Sequence, residues 1–309
     1  MKLVTFSRNN MDLRVGAIVE DTIVDLAVLA QRNGEYLPST MLEFIEQSPT
    51  SLEVANNLVS KGNFGSGVAF FKENVKIHAP IPKPKKNIFG IGLNYHKHIA
   101  ESAKSLDTKD EVPSEIVIFS KPPSTVCGYG DAIEHNSNIT QKLDWEVELG
   151  VIIGKAGKKV DKKDAYKHIF GYTVIIDVSA RDCRRSGQWI VSKGQDTFAP
   201  MGPCIVTADE IEDPHNLNLW LTKNGEMKQE DNTKNMVFKI DEIISDLSTV
   251  MSLDAGDIIA SGTPSGVGAG MDPQEWMWPG DVIEAGVENV GRLYNPVVDV
   301  TNKKNILED

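Results

Sequence analysis

Between Leu143 and Gly154 the chain runs Leu-Asp-Trp-Glu-Val-Glu-Leu-Gly-Val-Ile-Ile-Gly, an apolar stretch carrying two glutamates at spacing two. Its apolar content marks a β-strand, and a strand alternates faces with period two. Trp145, Val147 and Leu149 therefore share one face, and Glu146 and Glu148 share the other. A second apolar run, Tyr172 to Ile176, ends in Asp177. Neighbouring carboxylates repel, and burial penalises each charge further. A divalent cation would remove both problems, and an all-oxygen donor set suits magnesium, manganese or calcium better than zinc. Two plainer readings stand beside this one. The strand can have a solvated face, and Asp177 can cap the turn that follows it.

The rest of the chain narrows the fold class. After Lys86, β-rich runs recur at Asn87–Gly92, Ile116–Ser120, Val147–Ile153, Tyr172–Ile176, Leu217–Leu221, Ile258–Ala260 and Val282–Ala285. Asn224-Gly225 reads as a hairpin turn. One longer segment, Ile240 to Met251, carries apolar residues at helical spacing and predicts a core-packed helix. Strands and helices do not alternate, so a doubly wound sheet or a (β/α)8 barrel fits poorly, and an α+β, β-rich fold fits better. Residues 1–77 read as a small α+β unit, with a hairpin in Val15–Val24 and helical spacing from Leu42 to Val59. Prolines 80, 82 and 84 then prevent a helix and favour an extended connector. The expected organisation is a small N-terminal domain at 1–80 and a larger domain at 85–300.

The chain has 309 residues and a formal charge of −12. That balance opposes a broad nucleic-acid interface and an anionic membrane surface. It leaves room for a small anionic substrate at a locally basic site. No segment approaches the ~20 apolar residues of a membrane span, and the first ten residues lack a signal-peptide pattern. Cys127, Cys183 and Cys204 are scattered without a CxxC pair, so reduced thiols and a cytoplasmic location are expected.

Several further stretches complete a recognisable set: Gly92-Leu93-Asn94-Tyr95-His96-Lys97-His98, Asp144 to Gly150, Asp177-Val178-Ser179-Ala180-Arg181-Asp182, Lys193 with Asp196 to Pro203, and Ser261-Gly262-Thr263-Pro264-Ser265-Gly266-Val267-Gly268. In this order, over roughly residues 85–300, the chain resembles the fumarylacetoacetate hydrolase (FAH) superfamily. That superfamily includes acylpyruvate hydrolases, oxaloacetate decarboxylases and tautomerases, and hydroxymuconate-type isomerases. The N-terminal unit resembles the extension of the longer bacterial members. The resemblance implies an FAH-type mixed β-sheet roll, a homodimer, and Mg²⁺ or Mn²⁺ held by Glu146, Glu148 and Asp177. The implied substrate is a small 2-oxo or 1,3-diketo acid whose enolate the metal stabilises.

Other roles follow from the residues and the resemblance together. His98 and Glu101 are spaced i, i+3, close enough on a helix for Glu101 to orient His98 as a general base. An exposed helix pair is the plainer reading, and the resemblance assigns the pair to water activation, with His96 as the runner-up base. Lys193 is the implied cationic partner of the substrate. Glycines 262, 266, 268 and 270 suit a loop whose N–H groups bind a carboxylate, which places Gly262 and Thr263 on the substrate, alongside Arg181. Many relatives carry a glutamine shortly after the Ala-Arg-Asp motif. Here either Arg184 takes its place or Gln188 supplies it from a shifted position, and an arginine would favour a second anionic group on the substrate. Ser102 to Val112 is expected to act as a lid.

The expected activity is metal-dependent hydrolysis of a C–C bond in a 3-acylpyruvate. The alternatives are oxaloacetate decarboxylation or tautomerisation, hydroxymuconate-type isomerisation, or a catalytically silent binding protein on the same fold.

Overall fold

The computed structural model describes residues 1–8, 12–105, 110–185 and 187–302. Two open sheets dominate. The larger has twelve strands. Its main path runs Ala69–Phe71, Thr22–Asp25, Arg14–Val19, Lys2–Ser7, Ala199–Thr207, Ile169–Ile176, Val147–Ile153, Ile258–Ala260, Ile88–Gly92 and Val117–Lys121. The smaller has five, in the order Glu226–Asn232, Asn218–Lys223, Val282–Val287, Gly291–Asp299 and Ile133–His135. Most pairs are antiparallel, but Ile258–Ala260 lies parallel to Ile88–Gly92, and Gly291–Asp299 parallel to Ile133–His135. The fold is thus α+β, strand-rich and mixed, as expected.

The apolar runs form strands because both sheet faces are covered. Val147, Leu149 and Val174 pack with Leu219, Ile283 and Leu293 of the smaller sheet and with Ile243, Ile244 and Leu247 of the helix Ile240–Val250. On the opposite face Ile152, Phe170, Ile175, Met201, Ile205 and Ile258 pack with Leu3, Val15, Leu26 and Phe44. All seven residues of Val147–Ile153 are consequently buried, and a solvated glutamate face does not exist here.

The N-terminal region is joined to this scaffold more closely than its composition suggests. Lys2 and Leu3 pair with Val206 and Ile205, so its strands extend the large sheet. The hairpin forms at Arg14–Val19 and Thr22–Asp25, with Glu20 at φ 51 in the turn. The helical spacing from Leu42 onward resolves into two helices, Met41–Glu46 and Thr50–Ser60, because Pro49 lies between them.

Candidate active site

The carboxylates meet where the ladder between Val147–Ile153 and Ile169–Ile176 ends. Val147 pairs with Ile176, and the Asp177 N–H donates to the Glu146 carbonyl at 2.8 Å. Glu146 and Asp177 thereby face each other across the strand ends, and Glu148 follows Glu146 on the same face. Ligand oxygens of Glu146, Glu148 and Asp177 lie within 4.8 Å of one another, and all three residues are buried.

Their surroundings are strongly charged. Lys193 Nζ donates to Glu146 Oε2 at 2.7 Å and to Asp177 Oδ2 at 2.6 Å. Arg181 donates from Nη2 to Glu146 Oε1 at 2.6 Å and from Nε to Asp144 Oδ2 at 2.8 Å. Lys121, fully buried, donates from Nζ to Asp177 Oδ1 at 2.5 Å and to the carbonyls of Lys193 and Val178. Glu148 accepts a 2.8 Å bond from the Gly262 N–H, where φ of +101° favours glycine.

The two glutamates are therefore unlike. Burial would raise the Glu146 carboxyl, but Lys193 and then Arg181 outweigh it and hold the group well below the usual carboxylate range. Burial, followed by repulsion from Asp177 and Glu146, pushes Glu148 well above that range. Burial also works against the Lys193 ammonium, yet Asp177 and Glu146 hold its pKa above the ordinary lysine value. Four buried carboxylates, Asp144 included, face three cationic side chains. An all-oxygen cluster short of positive charge fits a hard dication. Glu146, Glu148 and Asp177 are the residues that would hold Mg²⁺ or Mn²⁺.

The helix His96–Ser105 brings the candidate base to the same place. His98 is buried, and its Nδ1 lies 3.1 Å from Glu101 Oε2. Glu101 Oε1 in turn accepts the Gly266 N–H at 2.9 Å. A Cβ on Gly270 would stand 2.2 Å from Glu101 Cδ, so only glycine lets the helix dock this closely. His96 is exposed on the outer turn, which leaves His98 as the histidine facing the cavity. Ser102 Oγ lies 3.4 Å from His98 Nε2 and is buried, so the segment expected as a lid begins inside this helix. Residues 106–109 of that segment lie outside the described residues.

One cavity collects His98, Ser102, Glu146, Arg181, Arg184, Trp189, Lys193 and Thr263, walled by Gly92, Leu93 and Phe119. Arg184 stacks 4.9 Å from the centre of the Trp189 ring. Gln188 lines a neighbouring cleft with Asn87 and Phe89, so of the two candidates for the missing glutamine the structure brings in Arg184. Gly262 spends its N–H on Glu148 rather than on the cavity.

Sequence reasoning passed over Lys121, Asp144 and Trp189. Asp144 had a signal, because it precedes Glu146 by two residues. It accepts from Arg181 and from the N–H groups of Gly268 and Ala269 at 2.6 and 3.0 Å. Lys121 and Trp189 had none, being brought in by strand and loop packing.

Fold and site together define a class of enzymes built on a buried carboxylate triad beside a His–Glu pair. The profile described as fumarylacetoacetate (FAA) hydrolase C-terminal matches residues 87–298, and the chain belongs to that family. It is 40% identical over 291 residues to the oxaloacetate tautomerase YisK of Bacillus subtilis, covering 92% of this chain and 95% of that protein. The fumarylacetoacetate hydrolase of Exiguobacterium antarcticum superposes with a TM-score of 0.80 at 32% identity, over 97% of this chain and 100% of the other. The maleylpyruvate hydrolase of Sphingobium sp. SYK-6, solved with manganese(II) and pyruvate, gives a TM-score of 0.76 at 29% identity, over 97% and 99%.

Proposed function

We infer that this protein interconverts the keto and enol forms of oxaloacetate or a closely related 2-oxo diacid, with Mg²⁺ or Mn²⁺ as cofactor. The observation that carries the reading is the cavity lined by His98, Lys193 and Glu146, with Glu148 and Asp177 clustered beside Glu146. The likeness to an oxaloacetate tautomerase over nearly the whole chain favours this reaction over the C–C hydrolysis expected first from the sequence.

A dication held by Glu146, Glu148 and Asp177 would supply Lewis acidity toward a 2-oxo acid. Tautomerisation moves one proton between C3 and the 2-oxo oxygen as the π bond shifts between C2–O and C2–C3. His98 lines the cavity and takes the C3 proton, while Glu101 on Nδ1 orients the ring. Lys193 opposes negative charge on the substrate. The Arg184 guanidinium, stacked on Trp189, offers a charge-assisted contact to the second carboxylate. Arg181 holds Glu146 in place from the other side.

Hydrolysis of a 3-acylpyruvate is the second reading, supported by the likeness to maleylpyruvate hydrolase and by a His–Glu pair able to activate water. A homodimer is proposed with either reading, and the three free thiols suit a reducing, cytoplasmic setting. No described helix is long and apolar enough to cross a membrane.

A steady-state comparison of enol-oxaloacetate, acetylpyruvate and fumarylpyruvate, each with Mg²⁺ or Mn²⁺, tests the assignment. Accelerated loss of the enol without pyruvate release is the expected result. Cleavage of acetylpyruvate with no effect on oxaloacetate would reverse the order of the two readings.

A further inference from the structure

We propose that Gln229 is a positioning residue that locks the loop at Thr263 and Pro264 to the carboxylate strand, and that the Thr263 hydroxyl serves this clamp instead of binding the substrate carboxylate. The proposal rests on the 2-oxo acid reading of the site and extends it.

The ladder between Val147–Ile153 and Ile258–Ala260 stops early. Gly150 pairs with Ala260, and the Ser261 N–H reaches the Leu149 carbonyl at 3.1 Å. Beyond that point the chain turns away to form the cavity wall, and Val147, lying between Glu146 and Glu148, finds no main-chain partner on that side among the described residues. Two side chains take over. Thr263 Oγ1 donates to the Val147 carbonyl at 2.9 Å, and Gln229 Oε1 accepts the Val147 N–H at 2.9 Å. Gln229 Nε2 then donates to Thr263 Oγ1 at 2.9 Å and to the Pro264 carbonyl at 2.8 Å. The amide can point only one way, because Val147 N–H needs an acceptor and Pro264 needs a donor.

Gln229 is 1% exposed and comes from Glu226–Asn232, an edge strand of the smaller sheet. It therefore ties three segments at one point: the strand that presents Glu146 and Glu148, the loop that presents Gly262 to Glu148, and the second sheet. The Thr263 hydroxyl has one hydrogen and gives it to Val147. One of its lone pairs is taken by Gln229. It retains nothing to donate to an anion, so its part is to hold the loop in register.

The test uses the full chain with Gln229→Met, of similar volume without hydrogen bonding, and Gln229→Glu, which keeps the acceptor but loses both donors. Calorimetry gives the Kd of Mn²⁺ for metal-free protein and of oxalate for Mn²⁺-loaded protein. Kinetics with enol-oxaloacetate gives kcat and KM separately. In both variants the oxalate Kd and the KM should rise together by about tenfold, with a smaller fall in kcat. Gln229→Met combined with Thr263→Val should cost no more than the worse single change, because both break one clamp. Oxalate and Mn²⁺ affinities within about twofold of wild type, with only a lower Tm, would reduce Gln229 to packing and overturn the proposal. If wild type bound oxalate but did not accelerate the enol conversion, the tautomerase reading would fail while these affinities still decided the role of Gln229.

Discussion

Lys121 sits in an environment that few lysines occupy: fully buried, with its ammonium distributed over Asp177 and two carbonyls. Burial depresses its pKa, and Asp177 opposes that most strongly. Lys121→Met should destabilise the metal-free protein by about 3–5 kcal/mol, the usual consequence of breaking a buried ion pair. The loss should shrink once Mn²⁺ is present, since the dication replaces a positive charge beside Asp177. Denaturant unfolding with and without Mn²⁺ checks this, and an equal loss in both would contradict it. His98→Ala should lower kcat by about 10²–10⁴-fold while leaving the Mn²⁺ affinity intact, because the ring's hydrogen-bond partners are Glu101 and Ser102 and not the triad. Loss of Mn²⁺ binding in this variant would show the histidine acting on the metal instead. The period-two pattern in an apolar strand brought Glu146 and Glu148 to attention, and the resemblance, not the spacing, joined Asp177 to them as a ligand set. Lys121, Trp189 and Gln229 were not legible, because a lone Lys, Trp or Gln acquires its role from which chain segment packs over it.

At the scale of elements, the strands with β-branched runs and the helix Ile240–Val250 could be read directly from hydrophobic period. The strand Ala199–Thr207 could not. Pro200, Gly202 and Pro203 read as loop, yet this strand is central, pairing with Lys2–Ser7 on one side and Ile169–Ile176 on the other. The ladder register shifts between Tyr172 and Val174 opposite Gly202, so the irregularity absorbs the missing proline N–H. The start of the helix Ile240–Val250 also carries a titration. The Ile240 N–H donates to His215 Nε2 at 3.4 Å, and the Tyr166 hydroxyl lies 3.0 Å from the same atom. Burial lowers the His215 pKa, with Lys239 adding to the effect and Asp213, Asp241 and Glu242 opposing it. Above the unfolded value of 6.5 both states are neutral and the capping bond is at full strength. Below it the unfolded chain binds the proton first, so stability falls with pH down to the lowered folded pKa. His215→Gln keeps an acceptor that does not titrate. Its Tm should fall less than that of wild type between about pH 7 and about pH 5, and parallel Tm–pH curves would remove His215 from the account.

The molecule as a whole behaves differently from what its proline-rich connector suggests. Prolines 80, 82 and 84 mark a boundary by composition, because they bar helix and ladder alike. The long-range pairing of Lys2 with Val206 and Leu3 with Ile205 leaves no local trace in either segment, so the continuity of the sheet could not be read in advance. That continuity has an energetic consequence. Ile152, Phe170, Ile175, Met201, Ile205 and Ile258 of the catalytic region are buried in one cluster with Leu3, Val15, Leu26 and Phe44. At about 1.5–3 kcal/mol per buried large side chain, baring those six would forfeit about 9–18 kcal/mol as an upper bound. The net stability of a typical domain is about 5–15 kcal/mol, so the loss is of the same size as the whole. The sheet would also present Ile205 and Val206, now paired with Leu3 and Lys2, as an unpaired edge, a template for association. A chain truncated to residues 85–302 should therefore be recovered as aggregate. Supplying residues 1–84 as a separate chain should restore some soluble material, since the covering strand and helices act by packing. A soluble 85–302 protein with a cooperative Tm near that of the full chain would show instead that the N-terminal unit is an independent domain resting on a sheet that is stable without it.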